Sequence, residues 1–216
     1  GAEPEYVYRH IRWLRETLQS AGIPLHVVEN GHILRPKLRF AALPLYVRNR
    51  QGQKAMLRRQ CTLEYKVRPI RKWLKAHGAT AQNPALLAIG ISLDEVQRMR
   101  DSEVRYVQHW YPLIDRRMRR ADCVMWLQSH NYPVPKKSSC VMCPFHSDAY
   151  WRMLKREHPE EFERACQIDE QFRRVPRVDE ECFVHRSLKP LRVIDFDAQG
   201  ELDLGGAEEC TGYCLT

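Results

Sequence analysis

The sequence predicts an α/β domain whose sheet is mostly parallel. Segments with helical spacing of apolar residues alternate along the chain with short apolar runs, which is the pattern of strand–helix–strand units. The run ALLAIGI at 85–91 is continuously apolar, as expected for a parallel strand that is covered on both faces. With 216 residues, of which 44% are hydrophobic and 29% charged, the chain is long and apolar enough for one sizeable domain.

The first part of the chain is predicted to hold two helices and two extended segments. Pro4 suits the first turn of a helix, and apolar residues follow it at helical spacing as far as Leu18. Gly22 and Pro24 then end that helix. The elements expected after it are a short buried strand at 25–29, an extended piece within ALPLYV at 42–47, and a helix at about 67–77.

The second part continues the alternation and then loses it. After the strand at 85–91, Ser92 and Glu95 form an S-x-x-E capping box that opens the next turn. The pattern weakens beyond Val175, so we expect an α/β domain at 1–175 and a tail at 176–216. The remaining predicted elements are a strand at 111–114 and helices at about 119–129, 147–156 and 159–173.

The charge of the chain favours an anionic partner. Lys and Arg number 35 against 27 Asp and Glu, which gives a net charge of +8. This balance suits a nucleotide, a sulfonucleotide or a nucleic acid, and it does not separate the three. No apolar run approaches the ~20 residues of a membrane span, and the opening GAEPEYVYRH lacks the pattern of a secretory signal. We therefore expect a cytoplasmic protein with no membrane partner.

The segment SSCVMCPFH at 138–146 carries the strongest chemical signal. Cys140 and Cys143 form a C-x-x-C pair that follows a Lys-Ser loop and precedes Pro144, a knuckle more typical of metal or cluster ligation than of a redox dithiol. Zinc needs four tetrahedral ligands, whereas an iron–sulfur cluster accepts distant thiolates gathered by the fold. His146 could add a ligand, although a lone His near a turn more often only forms hydrogen bonds. The pair alone leaves zinc, cluster and redox chemistry open.

Two other segments could supply partners for this pair. Cys61 lies just before a predicted helix among basic residues that include Arg59 and Lys66, and positive charge at a helix start favours a thiolate. Near the C-terminus, ECTGYC contains Cys210 and Cys214 in a Cys-x3-Cys arrangement. Such a terminal pair suits a mobile nucleophile, a resolving thiol pair, or ligands that fold back on a site.

The end of the strand at 85–91 is a candidate ligand-binding edge. Gly90 stands at the C-terminal end of a predicted parallel strand and precedes a capped turn, which is where α/β sheets bind ligands. Arg98, like Arg100 and Arg105, could reach an anionic group there. A further basic run could bind a nucleic-acid backbone, although a run this short is more often the charged start of a helix: Arg116, Arg117, Arg119 and Arg120.

Together these segments resemble the phosphoadenosine-phosphosulfate (PAPS) reductase family of the PP-loop, or adenine nucleotide alpha hydrolase-like, superfamily. RQCTLEYKVRPI (59–70) is similar to the segment that carries the family's cluster cysteines before a helix. GISLDEVQR (90–98) and PLIDRRMRRADCVMWL (112–127) are similar to two further family segments. A subgroup of PAPS-reductase-like proteins combines R-R-Q-C-T, S-x-C-x-x-C-P-F-H and a terminal E-C-x-G-x-C, and all three occur here.

The resemblance implies a Rossmann-like (HUP-type) parallel sheet flanked by helices, with a cysteine-containing C-terminal tail. It also implies an iron–sulfur cluster of the 4Fe-4S type, with zinc as the alternative. The nucleotide that it implies is an adenine nucleotide: ATP, PAPS or adenosine phosphosulfate (APS). By resemblance, Cys210 would attack the sulfonate sulfur and Cys214 would be a resolving thiol. The residues implied for the metal are Cys61, Cys140 and Cys143, and those implied for the nucleotide are Arg59, Lys66, Gly90, Glu95 and Arg98.

Two departures from the family pattern affect this expectation. Gln60 stands where the family has its first cluster cysteine, so three cysteines match the cluster positions. Either one iron stays open to carry sulfur, or Cys210 or Cys214 becomes the fourth ligand. The family's S-G-G-x-D-S phosphate loop is absent, and GAEPEYVYRHI is similar to the segment that follows the second family strand, which implies a chain that begins after that loop.

These features give one leading function and two alternatives. The leading one is an iron–sulfur enzyme that handles sulfur on or through an adenine nucleotide, of the sulfonucleotide-reduction type. It would draw electrons from a thiol or from an electron-donor protein. The first alternative is ATP-dependent sulfur transfer to tRNA or DNA, by thiolation or phosphorothioation, which the basic charge favours. The second is a zinc-stabilised binding module without catalysis, which the missing phosphate loop favours.

Overall fold

The computed structural model describes residues 2–34 and 43–197, which form a mixed α/β fold. The helices of this part of the chain are all too short or too polar to cross a bilayer. Its elements are, in order, α1 (Glu5–Ser20), β1 (Tyr46–Arg48), β2 (Lys54–Met56), a π-helix (Leu63–Val67), α2 (Arg68–Ala76), β3 (Ala85–Ala88), a 3₁₀ helix (Leu93–Arg98), β4 (Val107–Trp110), α3 (Pro112–Asp115), α4 (Arg120–Ser129), α5 (Asp148–Glu157), α6 (Pro159–Gln171), β5 (Cys182–Phe183) and a second 3₁₀ helix (Leu191–Val193).

The strands form two small sheets. β3 and β4 pair in parallel, whereas β1 lies between β2 and β5 and is antiparallel to both. The turn from β1 to β2 is held by Asn49, whose Oδ1 accepts hydrogen bonds from the backbone N–H groups of Gln51 and Gln53. A turn this short allows only an antiparallel hairpin. Within the described residues, the predicted parallel pairing is therefore confirmed for β3 and β4 and is wrong for the second sheet.

One large hydrophobic core unites the three-stranded sheet with α5 and α6. Trp151 and Leu154 on α5 are completely buried, as are Val141 and Met142 in the loop before it. The same core continues beyond α6 through β5 to Phe196. The domain boundary predicted at 175/176 therefore falls inside this core.

A buried carboxylate fastens the segment after α6 to that helix. Asp169 is 1% exposed and accepts hydrogen bonds from the backbone N–H groups of Val184 (2.8 Å) and Leu191 (3.2 Å). It also pairs with Arg173, which donates to the carbonyl of Cys182 at 2.8 Å. The chain from β5 to the second 3₁₀ helix is thus tied to α6 by polar contacts as well as by apolar packing.

A smaller core lies beside the β3–β4 pair. Ile89, Ile91 and Tyr111 form it, and the Tyr111 hydroxyl donates to the carbonyl of Arg100 at 2.6 Å. The prediction that this strand is covered on both faces is wrong, because Leu86 is 63% exposed and the strand ends at Ala88. β3 therefore has one packed face and one open face.

The helices follow the sequence prediction more closely than the strands do. α1, α2, α4, α5 and α6 are confirmed with small shifts of their ends. The strand predicted at 25–29 is wrong: the segment has no pairing partner in the described structure, and Val27 is 61% exposed. The strand predicted at 111–114 is helix α3, because Pro112 occupies the first helical position, where its fixed φ and missing N–H are favourable.

Candidate metal centre

The C-x-x-C segment forms two consecutive tight turns. The backbone N–H of Cys143 donates to the carbonyl of Cys140 (3.0 Å), and that of His146 donates to the carbonyl of Cys143 (3.1 Å). Between the cysteines, the completely buried Val141 anchors the loop in the large core, and its N–H donates to the carbonyl of Ala2 (2.7 Å). Packing thus fixes the loop, in which both cysteines are partly buried residues.

Cys61 reaches the same region from a distant part of the chain. It lies at the start of helical backbone that runs through the π-helix into α2, and π-type turns occur frequently at functional sites. Like Cys140, it packs against the large core. The Cys140 thiol interacts electrostatically with Cys143, Lys66 and Cys61. Cys143, Cys61 and Lys66 therefore lie in the same part of the fold as Cys140.

Burial controls the protonation of Cys140. Burial first, and then the neighbouring Cys143, raises the pKa of Cys140 from an ordinary 9.0 to about 12, while Lys66 opposes the rise. A buried thiolate without a compensating cation is unfavourable, and a metal that replaces the thiol proton removes that penalty. Metal binding at this thiol would therefore release a proton and weaken as the pH falls.

The three sulfurs are not arranged for a single metal ion. Within residues 2–34 and 43–197, no group of three or more His, Cys, Asp or Glu side chains is compact enough to hold one. A tetrahedral zinc site would need sulfurs about 3.8 Å apart, given a zinc–sulfur bond of about 2.3 Å.

Buried polar atoms without partners flank the cysteines. Gln60 Oε1, Thr62 Oγ1 and His146 Nδ1 are buried and have no hydrogen-bond partner in the described structure. Gln60 and Thr62 are the neighbours of Cys61, and His146 closes the second turn of the C-x-x-C loop. Each unpaired buried polar atom costs about 1–3 kcal/mol, and native proteins keep few of them. The residues around the cysteines therefore fit a site that a bound group completes.

Aromatic and basic side chains join the two cysteine segments. The guanidinium carbon of Arg59 lies 4.9 Å from the ring centroid of Phe145. The segment before Cys61 therefore contacts the loop that follows Cys143. His146 stacks on Tyr150, with ring centroids 3.7 Å apart, and burial lowers the pKa of His146 to about 3. The Tyr150 hydroxyl lies 3.0 Å from that of Tyr6, which brings α1 to the same site.

The residues predicted at the nucleotide edge lie in the β3–β4 layer. Gly90 follows β3, and Glu95 pairs with Arg98 on the 3₁₀ helix. No described hydrogen bond or ion pair joins these residues to the three cysteines. The predicted capping box is wrong, because the Ser92 side chain makes no cap and its Oγ instead lies 3.4 Å from Asp94 Oδ2.

The C-terminal pair, Cys210 and Cys214, lies outside the described residues. Their predicted roles as nucleophile, resolving thiol or fourth ligand therefore stay predictions. Cys123 is half-buried on α4, a helix with no fully buried residue. Met125 and Trp126 on the same helix are exposed.

Sequence reasoning missed a buried polar network that borders the loop. Asp148, the first residue of α5, lies 2.8 Å from Nε2 of His185, and its second oxygen accepts from Arg186 at 2.7 Å. Tyr46 interacts electrostatically with both Arg186 and Cys143, so the network adjoins the cysteine centre. No spacing in the sequence could reveal it, because the chain from α5 through α6 separates its members.

Comparison with known proteins adds no relative to these observations. No protein-family model, curated protein or solved structure matches the chain. The functional argument therefore depends on the geometry of the cysteine centre and its surroundings.

Proposed function

We propose that this protein is an iron–sulfur enzyme of the PAPS-reductase-like type, which handles sulfur carried on or through an adenine nucleotide. The observation that carries the proposal is the electrostatic interaction of Cys140 with Cys143 and Cys61, together with the packing of Cys61 and Cys140 against the same core. An iron–sulfur cluster is bound by cysteine thiolates that the fold gathers from distant segments, and thiols are the ligand type that these three residues supply.

The proposal includes a Rossmann-like (HUP-type) arrangement of the β3–β4 region. Support comes from the parallel pairing of these strands and from Gly90, which follows the carboxyl end of β3, where parallel sheets bind nucleotides. Arg98 is paired with Glu95, so a bound phosphate would compete with that carboxylate for the guanidinium. The net charge of +8 favours the same anionic ligand.

The chemistry of this class assigns roles to individual residues. The Cys210 thiolate attacks the sulfonate sulfur, the bond from that sulfur to the nucleotide oxygen breaks, and the nucleotide leaves with the oxygen. Cys214 or an external thiol then attacks the Cys210 sulfur, which releases sulfite and leaves a disulfide for a thiol or an electron-donor protein to reduce. Arg59 and Lys66 bind the anionic substrate beside the cysteine centre, and Cys61, Cys140 and Cys143 would hold the cluster there.

The test is sulfite release from PAPS or APS by anaerobically reconstituted protein with dithiothreitol. We expect Lys66→Ala to lower the rate about tenfold or more, because a charged hydrogen bond contributes about 1.5–3 kcal/mol. Lys72→Ala is the matched control, since Lys72 is exposed on the adjoining helix α2. Cluster-loaded protein that neither binds nor reduces either sulfonucleotide would contradict the proposal.

A second candidate is sulfur transfer to tRNA or DNA, which an exposed aromatic cluster favours. Trp126 is 48% exposed and stacks on His130 with centroids 4.2 Å apart, and Tyr132 lies 5.9 Å from Trp126. Trp13 from α1 extends the cluster, 5.7 Å from Tyr132. Exposed aromatic rings near basic residues form stacking platforms for single-stranded nucleic acid, and the arginine run at the start of α4 supplies the charge.

Fluorescence titration with single-stranded RNA and DNA oligonucleotides tests this candidate. It predicts binding that weakens steeply with salt and that falls about tenfold in Trp126→Ala, since stacking on one base contributes about 1–3 kcal/mol. Met125→Ala, at another exposed residue of α4, is the control. Equal binding by both variants, or binding without salt dependence, would rule against it.

A further inference from the structure

A hydrogen-bonded row of three side chains connects the start of α5 with the segment that follows β5. The imidazole of His185 is 2% exposed, and its Nε2 lies 2.8 Å from Oδ1 of Asp148, which is also buried. The other ring nitrogen, Nδ1, lies 2.8 Å from Oγ of Ser187. Ser187 is exposed, so the row leads from a buried carboxylate through a buried imidazole to a hydroxyl at the surface.

The partners of the ring decide which of its nitrogens carries the proton. The second oxygen of Asp148 accepts from Arg186, so the group is a carboxylate that only accepts, and Nε2 of His185 donates to it. Nδ1 of the neutral ring is then an acceptor, and the backbone N–H of Ser187 donates to it at 3.2 Å. The Ser187 hydroxyl donates to the same nitrogen. Burial lowers the pKa of His185, which keeps the ring in this neutral form near pH 7.

This order of donors and acceptors is the one that a serine nucleophile needs. A hydroxyl attacks well when an adjacent base takes its proton, and the base needs a third group that fixes its tautomer and stabilises its charged form. Here His185 is the adjacent base and Asp148 is the third group. The two ring nitrogens are exchanged relative to serine proteases, in which Nε2 faces the serine, but either nitrogen of a neutral imidazole can accept a proton.

A second serine–histidine pair in the chain lacks this order. Oγ of Ser129 lies 3.1 Å from Nδ1 of His130, and both residues are exposed. That nitrogen also lies 2.8 Å from the carbonyl oxygen of Trp126, so it carries the proton as a donor and cannot take one from Ser129. The described hydrogen-bond partners of His130 include no carboxylate. Ser129 is therefore an ordinary hydroxyl beside a histidine and a matched control for Ser187.

The residues next to Ser187 favour a substrate with a polarised oxygen. The side chain of Arg186 is 46% exposed while it donates to Asp148, and Lys189 is exposed as well. A guanidinium has several N–H donors, so Arg186 can bind a substrate oxygen with those that Asp148 does not accept. Such donors stabilise the negative charge that develops on a carbonyl oxygen during nucleophilic attack. The chemical class that fits is an ester of a carboxylic acid.

We propose that Ser187 is a nucleophile that cleaves carboxylic esters, with His185 as its general base and Asp148 as a positioning residue. Oγ forms a bond to the acyl carbon while its proton passes to Nδ1 of His185. The ester C–O bond then breaks, and the leaving alcohol takes that proton. Water attacks the acyl-serine in the same way, and His185 returns the proton to Oγ as the carboxylic acid is released. This activity uses none of the cysteines and does not depend on the proposed iron–sulfur function.

The test is the reaction of the full chain with diisopropyl fluorophosphate. Attack by Oγ breaks the P–F bond, releases fluoride and leaves a stable phosphoryl-serine, which peptide mass spectrometry locates. We expect Ser187 to be labelled at least about 100-fold faster than Ser129, because general base catalysis contributes about 10²–10⁴-fold. The same reagent should inhibit hydrolysis of p-nitrophenyl acetate. Ser187→Ala should abolish this inhibitor-sensitive hydrolysis, and Ser129→Ala should keep it at the wild-type rate.

The role of Asp148 is tested separately in Asp148→Asn. The amide can donate to Nε2 of His185 and so place the proton on Nδ1, which ¹⁵N NMR of histidine-labelled protein detects as a reversed tautomer. We expect labelling of Ser187 in this variant to slow at least about tenfold. Circular dichroism verifies that the variant folds, and an unchanged labelling rate in folded Asp148→Asn would contradict the positioning role.

The labelling rates decide the proposal even without that variant. Ser187 that reacts no faster than Ser129, or equally fast in the folded chain and in urea, overturns it. Inhibitor-sensitive ester hydrolysis that persists in Ser187→Ala overturns it as well, and this substitution changes only an exposed side chain. Because the assay needs no cluster, its outcome leaves the iron–sulfur proposal to be judged on its own test.

Discussion

Removal of the Asp169 carboxylate should be among the most destabilising single changes in the described fold. Asp169→Ala leaves the N–H groups of Val184 and Leu191 without their acceptor and removes the ion-pair partner of Arg173. Breaking a buried ion pair costs about 3–5 kcal/mol. The cost of the two lost backbone hydrogen bonds is not added to this figure, because interactions that share one side chain are not additive. Since Arg173 keeps its bond to the Cys182 carbonyl, we expect the lower half of the range, about 3–4 kcal/mol.

The assay is urea unfolding of metal-free protein, followed by far-UV circular dichroism. For a chain of this length, such a loss corresponds to a fall of about 10 °C in Tm. Glu163→Ala is the matched control on the same helix, because its ion pair with Arg192 is exposed and should leave the unfolding midpoint almost unchanged. If Asp169→Ala unfolds at the same urea concentration as Glu163→Ala, the account of how the segment after α6 is fastened is wrong.

Two further predictions concern titration and thiol reactivity. Burial lowers the pKa of His185, while Asp148 opposes the shift and Arg186 adds to it, so the stabilisation from a neutral His185 is present above pH 6.5 and is lost as the pH falls through its folded-state pKa. Urea midpoints between pH 7 and pH 4.5 should therefore fall more steeply in the wild-type protein than in His185→Gln, and parallel curves would contradict the assignment. Burial also raises the pKa of Cys166 and Cys182 to about 11, so iodoacetamide at pH 8 should label both at least about 100-fold more slowly in folded, metal-free protein than in urea, as measured by mass spectrometry. Equal rates in the two states would show that these thiols are not buried.

The helices could be predicted because their signals are local. α1, α5 and α6 each combine an apolar face with a clear start, such as Pro159 at the first position of α6 or Ser147, whose Oγ accepts from the Tyr150 N–H. The short apolar run at 111–114 was misjudged because four apolar residues fit a strand or a helix, and Pro112 decided the matter. β5, only two residues long, pairs with a distant strand and has no readable pattern of its own.

The candidate site was predictable only in part. Spacing marked Cys140 and Cys143 as a pair, but no periodicity connects them with Cys61, and it was the family resemblance that joined the three. Cys61 and Cys140 both pack against the large core, which connects their two segments. His146 was visible as a neighbour of the pair, whereas its contact with the Cys140 carbonyl is a property of the folded loop.

The central claim is that Cys61, Cys140 and Cys143 hold an iron–sulfur cluster, and metal and sulfide analysis after anaerobic purification tests it most directly. We predict about four iron and four sulfide per chain, with broad visible absorbance, and a loss of most of this iron in Cys140→Ala. Cys123→Ala, another half-buried cysteine, should keep the wild-type content. One zinc per chain with neither iron nor sulfide, or iron that is unaffected in Cys140→Ala, would contradict the account.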